Sequence, residues 1–258
     1  MIQPTLLFGA LLSTLSAGIY FYVGHVLSQR RSATADSRLA WRLFVVWWYA
    51  LASSTLISAA LSLLGSIGII GLPLFTTFTL MNLLAICVAL YGLVFYLLYL
   101  FTGSRKVLGP LSIFYIGYYT LLVYYVQASI PANVIVKRWS AALTYHNQLH
   151  GPFFNVVLLL LLLPPILGGL AYFMLYFRVE TITQKYRVLL VSWSIIIWFL
   201  SATIASFSGF SESDLWQVLS RFIGVGAALA ILLAYQPPDW VKRRFGVSSL
   251  TQEKVKRV

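Results

Sequence analysis

Acidic residues are scarce in this 258-residue chain, which has 6 Asp and Glu against 18 Lys and Arg. Seven long apolar stretches fill most of the chain, and none has an acidic side chain in its interior, since Asp214 stands at the very start of the last one. Proteins that drive protons or cations through hydrocarbon usually keep buried carboxylates to bind and release them. The sequence therefore argues against a proton or cation pump.

Cysteine and charge of either sign are also in short supply. The single cysteine, Cys87, excludes an internal disulfide, and we interpret it as a small apolar packing residue. Charged residues make up 9% of the chain, against roughly a quarter of a soluble globular protein. No segment between the apolar stretches is long enough for a soluble domain, so we expect the protein to act through its helices.

The apolar stretches have the length of membrane-spanning helices. A span needs about 20 apolar residues to cross ~30 Å of hydrocarbon, and 60% of this chain is hydrophobic. The predicted helices cover 5–28, 43–65, 75–101, 108–128, 152–177, 188–208 and 214–235. We therefore expect an all-α, multi-pass protein of the cell membrane, with a seven-helix transmembrane domain at 1–235 and a short basic cytoplasmic tail at 236–258.

Basic residues are distributed unequally between the predicted loops. Four clusters fall on one side of the bundle: Arg30, Arg31, Arg38 and Arg42; Arg105 and Lys106; Arg178, Lys185 and Arg187; and Lys242, Arg243 and Arg244. The other side has only Lys137 and Arg138 between spans. The positive-inside rule then predicts an external N-terminus and a cytoplasmic C-terminus. Topology and attraction to anionic membrane lipids explain the net charge of +12, so we expect no nucleic-acid partner.

Two prolines interrupt the fifth predicted span. Pro164 and Pro165 remove two backbone donors and are followed by Gly168 and Gly169. This pattern predicts a kink or local unwinding, which makes the prolines a candidate hinge. The alternative is a bend that serves packing against neighbouring helices.

Two histidines, His146 and His150, are spaced to share one face of a helical turn. This spacing suits a metal pair, but no third ligand lies nearby in sequence. The same segment is equally consistent with an interfacial helix entering the fifth span. We therefore treat both histidines as weak metal candidates and expect no cofactor.

Arg221 is the one clear charge inside a predicted span. An ionisable residue at such depth indicates a functional site by default. It either extends toward Glu212 and Asp214 or nearby carbonyls, or binds an anionic ligand or lipid headgroup from the outer side. The sequence leaves both interpretations open.

Several polar side chains in other spans are candidates for interhelical hydrogen bonds, among them Asn82, Asn155, Gln127 and the run Ser53, Ser54 and Thr55. Such bonds contribute about 0.6 kcal/mol on average in membranes. Together with Arg221, Tyr119, Tyr124 and Tyr125, these residues predict an outward-facing ligand pocket. We assign ligand-binding roles to Arg221, Asn82, Asn155, Tyr119 and Tyr124.

The topology is similar to that of microbial rhodopsins, and Val225-Gly226 resembles part of their retinal helix. Gly224 stands where that family has its Schiff-base lysine, and no predicted span contains a lysine. A retinal pump is thereby excluded, while a retinal-free relative or a transporter remains an alternative.

The chain also resembles the seven-helix sensor region of bacterial histidine kinases. The resemblance is carried by the Trp-rich second span after a basic loop, by the ending Tyr99 to Gly103 of the third span, and by Tyr186-Arg187 opening the sixth. No kinase domain follows the seventh span, so signalling is expected to pass through a partner membrane or signalling protein.

The missing catalytic and ion-coupling groups favour a non-enzymatic, receptor-like protein that binds a small ligand or lipid. An accessory subunit of a larger respiratory or photosynthetic membrane complex is the alternative, because the spans are apolar nearly all round.

Overall fold

The computed structural model of the chain describes residues 3–29, 35–138, 141–146, 152–206 and 213–248, without the side chains of 35–36, 152–162 and 201–206. The chain is mostly helical (83%). The described helices are α1 (Pro4–Ser28), α2 (Ala35–Ser66), α3 (Leu72–Thr102), α4 (Leu108–Ala128), α5 (Pro152–Met174), α6 (Ile182–Ser206), α7 (Asp214–Tyr235) and the short α8 (Asp239–Phe245). Two short 3-10 turns, Arg105–Val107 and Leu175–Phe177, precede α4 and follow α5.

Five of the described helices, α1, α2, α3, α4 and α7, are long and apolar enough to cross a membrane. The described side chains of α5 form a shorter apolar helix over Leu163–Phe177. The first turn of α6 instead contains Thr183, Gln184 and Lys185. The fold is thus that of a helical membrane protein with five candidate spans.

Helix ends follow local sequence signals. Gly103 has a φ of 64°, and its N–H donates to the carbonyl of Tyr99 at 2.8 Å, which ends α3 at Thr102. This left-handed conformation is open to glycine at no steric cost. At the other end of the chain, α7 stops at Tyr235, immediately before Gln236 and the prolines Pro237 and Pro238.

The main departure from an all-helical chain is a two-stranded antiparallel hairpin between α4 and α5. Its strands are β1 (Pro131–Val136) and β2 (Ala141–Tyr145), with Val134 opposite Leu143 and a bulge between Pro131 and Asn133. An interfacial helix was predicted for 145–150, but Tyr145 belongs to the hairpin, where it pairs with Pro131. The prediction is therefore wrong for the first residue of this segment. Residues 147–150 lie outside the described residues. The β-branched residues Val134, Ile135 and Val136 favour a strand once a partner strand is present.

Six helices form a closed ring in which α1, α2, α3, α5, α6 and α7 each pack against the next, and α7 returns to α1. Helix α4 lies outside this ring and packs mainly on α3. Its outer face, which includes Ile113 at 76% exposure, is open to the surroundings. Its inner face adds Tyr115, Tyr118 and Leu122 to the hydrophobic core of the bundle.

The two prolines of α5 lie inside a helix that continues through them without interruption. Local unwinding at Pro164 and Pro165 is thus absent, and the hinge stays a prediction. A Cβ on Gly168 would lie 2.4 Å from Cδ1 of Leu97, and one on Gly169 would lie 2.9 Å from Cγ1 of Ile196. Both glycines let α5 approach its neighbours closely.

The two halves of the bundle interior differ in packing. The half nearer the basic loops contains an aromatic core of Phe44, Trp47, Trp48, Tyr20 and Tyr96, with the Trp47 and Trp48 rings 4.0 Å apart and the Phe44 and Tyr96 rings 4.1 Å apart. The half nearer the hairpin contains cavities. The candidate interior site considered below therefore lies in the hairpin half.

Candidate functional site

Two adjoining cavities lie inside the hairpin half of the bundle. They measure about 390 Å³ and about 240 Å³, and both are lined by Ser13, Ser58, Asn82 and Arg221. Ser13, Asn82 and Arg221 lie roughly 10–15 Å along their helices from the ends that meet the hairpin, at 1.5 Å per residue. Residues from α1, α2, α3 and α7 thus converge on one polar site, which we call the interhelical cavity.

Arg221 reaches this cavity from the second turn of α7, and its guanidinium lies against α1. A Cβ on Gly9 would lie 2.0 Å from Nη1 and 2.5 Å from Cζ of Arg221. The absence of a side chain at Gly9 is therefore what makes room for the guanidinium. Asp214, one of the predicted partners, pairs with Arg138 at 2.7 Å, and Glu212 lies outside the described residues.

Asn82 links α3 to α2 at the wall of the cavity. Its Oδ1 accepts a hydrogen bond from Ser54 Oγ at 2.6 Å, and its Nδ2 donates to Ser58 Oγ at 3.3 Å. Ser53 and Thr55 instead donate to carbonyls of their own helix, those of Tyr49 and Leu51. The predicted interhelical bond is thus found at Ser54, and it fixes the amide of Asn82 at the cavity.

The hairpin covers one end of the cavity. Ala141, Leu143 and Tyr145 of β2 are part of the lining. The carbonyl of Arg138 accepts a hydrogen bond from Thr5 Oγ1, and the Arg138 guanidinium pairs with Asp214. These contacts attach the hairpin to the first turns of α1 and α7.

Tyr145 contributes a neutral hydroxyl to this cover. Burial of its ring, and secondly the nearby hydroxyl of Tyr125, raise the pKa of Tyr145 above its ordinary value. The phenol therefore stays protonated and uncharged at neutral pH.

The remaining predicted ligand-binding residues lie elsewhere or outside the description. Tyr119 is on α4, and its hydroxyl donates to the carbonyl of Leu80 at 3.5 Å. Tyr124 is 68% exposed on the outer side of α4. Neither lines the cavity, and the side chain of Asn155 lies outside the described residues. The structure therefore brings together Arg221 and Asn82.

The weak metal site has no support among the described residues. Within them, no group of three or more His, Cys, Asp or Glu side chains is placed to hold a metal ion. His146 is exposed just after β2, where its N–H donates to the carbonyl of Ile130 at 3.0 Å, and His150 lies outside the description.

Several lining residues were missed by the sequence analysis, notably Ser13, Ser58, Trp198 and the packing glycine Gly9. Part of this set could have been predicted from residue spacing in the sequence. Hydroxyl residues recur at helical spacing on α2, at positions 54, 58 and 62, which places them on one face. The position of Gly9 opposite Arg221 has no comparable signal, because it joins two helices that are distant in sequence.

Comparison with known proteins adds no family to this geometry. No protein-family model, curated protein or solved structure matches the chain significantly.

Proposed function

We propose that this chain is a receptor-like, non-enzymatic membrane protein with seven spans, an external N-terminus and a cytoplasmic C-terminus. It binds a small ligand or lipid in the interhelical cavity and transmits occupancy to a partner protein. The observation that carries this proposal is a polar cavity inside an apolar bundle, lined by residues of five helices and covered by the hairpin. Polar groups at such depth are costly and are usually retained for function.

The orientation is supported by the charge at the two ends of the bundle. The hairpin end holds the first residues of α1, where the N–H of Gln3 donates to the carbonyl of Ser66 at 3.1 Å. The opposite end holds α8 with Lys242, Arg243 and Arg244. The richer basic side is expected to face the cytoplasm.

The orientation predicts opposite labelling of two engineered cysteines. In a Cys87→Ala background, Ile135→Cys on the hairpin should react with a membrane-impermeant maleimide in intact cells. Phe245→Cys on α8 should react only after permeabilisation. Both side chains are about half exposed, which makes them a matched pair. Labelling of Phe245→Cys in intact cells would contradict the proposed orientation.

A receptor also agrees with the packing below the cavity. In the described residues of this half, aromatic side chains such as Trp47, Trp48 and Phe44 fill the interior and are at most 2% exposed. A conducting path would need polar or water-filled space there. Occupancy of the cavity is therefore coupled to helix position rather than to passage of the ligand.

The cytoplasmic end offers a route by which helix position reaches a partner. Nη2 of Arg187 on α6 donates to the carbonyl of Ser248 at 3.0 Å, and the Ser248 N–H donates to Thr183 Oγ1 at 3.2 Å. Val241 of α8 and Val247 are buried beneath the bundle. Because α7 carries Arg221 and leads into α8, a shift of α7 is expected to change this surface.

Ligand binding is tested by thermal unfolding of the protein in nanodiscs against a library of anionic, neutral and cationic compounds. A compound that binds the folded state raises Tm, by the equivalent of about 2.7 kcal/mol at a hundred times its Kd. We expect at least one such compound for the wild-type protein. Ser13→Trp, which fills the cavity, should abolish the shift, whereas Leu15→Trp on an exposed face of the same helix should preserve it. A library without any shift, or a shift that survives Ser13→Trp, would refute the cavity as the ligand site.

A further inference from the structure

The lining of the interhelical cavity carries one formal charge, and it is positive. Of the lining residues that the structure describes, Arg221 alone is charged at neutral pH, and none is Asp, Glu, Lys or His. Electrostatic interactions are stronger in such an interior than in water. The described lining therefore presents a positive charge and no negative one.

Residues with hydrogen-bond donors line the same two cavities. Ser58 accepts from Asn82, which leaves the Ser58 hydroxyl proton for another acceptor, and the Asn82 amide has a second N–H. Trp198 adds an indole N–H, which can only donate and lies 3.9 Å from where a Cβ on Gly224 would be. A guanidinium, an amide N–H and a hydroxyl together match the acceptors of an oxyanion.

Other hydroxyls in the lining have a different role. Ser16 and Thr79 donate to the carbonyls of Leu12 and Phe75 in their own helices, so they offer lone pairs only. These suit a water molecule or a ligand hydroxyl rather than the anionic group.

The rest of the lining is apolar. Leu61, Phe75 and Leu143 surround the larger cavity, and Ile86 and the Trp198 ring lie at the smaller one. The apolar part of a ligand would pack against these side chains, as in most small-molecule sites. An ammonium group would be buried without a carboxylate in the described lining to pair with it, which is costly.

Building on the proposed function, in which this cavity is the ligand site, we propose that the ligand is a small organic anion. It carries one carboxylate, or another oxyanion of equal charge, on an apolar body without an ammonium group. The oxyanion lies between the guanidinium of Arg221 and the donors of Ser58 and Asn82, and the apolar body lies against Phe75 and Trp198. A free carboxylic acid and an anionic lipid headgroup share this chemistry.

The test compares ligands that differ only in charge. Butanoate, hexanoate and octanoate, their amides and their amines are titrated into the protein in phosphatidylcholine nanodiscs, with calorimetry as the readout. Hydrogen bonds to a charged group contribute about 1.5–3 kcal/mol, so at least one carboxylate should bind about tenfold or more tightly than its amide. No amine should bind more tightly than its amide. Equal affinity for amide and carboxylate, or failure of all carboxylates, would overturn the inference.

Two variants test whether Arg221 causes the preference for carboxylate over amide. Arg221→Gln should reduce the preference for carboxylate over amide to within about threefold, while Arg178→Gln, at an exposed position among the basic loops, should keep it. If a folded Arg221→Gln protein retained the full preference, the role of Arg221 would be refuted. Nanodiscs containing phosphatidylglycerol distinguish the sources, because a headgroup ligand would compete with the carboxylate and a free-acid ligand would not.

The outcome is separable from that of the proposed function. If neutral compounds from the library bind in a manner sensitive to Ser13→Trp while every carboxylate fails, the receptor proposal stands and the anion inference falls. If no compound of any charge binds, both fall.

Discussion

Gly92→Ala should be the most damaging conservative substitution in the described bundle, with a loss of about 3 kcal/mol in the free energy of unfolding. A Cβ at this position on α3 would lie 2.5 Å from the carbonyl oxygen of Leu43 and 3.2 Å from the backbone nitrogen of Trp47. Neither backbone atom can rotate away, so α2 and α3 must separate. Helices in lipid associate largely through close packing, which is lost along their whole contact when they part.

Gly117→Ala is the matched control for this experiment. Gly117 lies on α4, where a Cβ would meet no atom within 4 Å. Alanine has the better helix propensity by about 1 kcal/mol, so the control should be neutral or slightly stabilising. Denaturant titration of both variants in the same detergent gives the comparison. Equal stability of Gly92→Ala and the wild-type protein would show that α2 and α3 are not packed as described.

The separation of α2 from α3 should also affect the ligand site. Ser54 and Ser58 stand on one helix and Asn82 on the other, so their hydrogen bonds depend on the close approach at Gly92. Any surviving folded fraction of Gly92→Ala should therefore bind ligand more weakly than the wild-type protein.

Gly9→Ala should weaken carboxylate binding about tenfold, or ~1.4 kcal/mol, without changing the charge of the protein. The new Cβ would overlap Nη1 and Cζ of Arg221, and a flexible side chain moves before the backbone does. The cost in stability is therefore small, whereas the position of the guanidinium changes. A displacement of this group removes the geometry on which charge-assisted hydrogen bonds depend.

A double-mutant cycle makes this prediction specific. In an Arg221→Gln background, Gly9→Ala should have little further effect on carboxylate affinity, because its target is already absent. Gly18→Ala, on the same helix and with no atom within 4 Å of the new Cβ, should bind like the wild-type protein. An undiminished loss in the Arg221→Gln background would show that Gly9 acts through some other contact.

The sequence predicted the helices better than the site. The observed boundaries of α1, α4 and α7 lie within one residue of the predicted stretches, because hydropathy and helix-stop residues such as Pro237 after α7 act locally. The hairpin was missed because strand pairing between 131–136 and 141–145 depends on a partner strand and not on hydropathy. The exposed position of Tyr124 could not be predicted from the sequence for a related reason: α4 is apolar on all sides, so its composition does not indicate which face is turned inward.

The sequence by itself determined that this is a helical membrane protein with one deep arginine, few acids and a basic end. Each of these properties depends on single residues or short sequence segments, so it can be predicted without knowing which helices pack together. The tertiary structure decided that Gly9 makes room for Arg221, that Asn82 joins Ser54 and Ser58 beside it, and that a hairpin covers the result. These contacts join distant parts of the chain, and they follow from which helices pack together rather than from the polarity of any one helix.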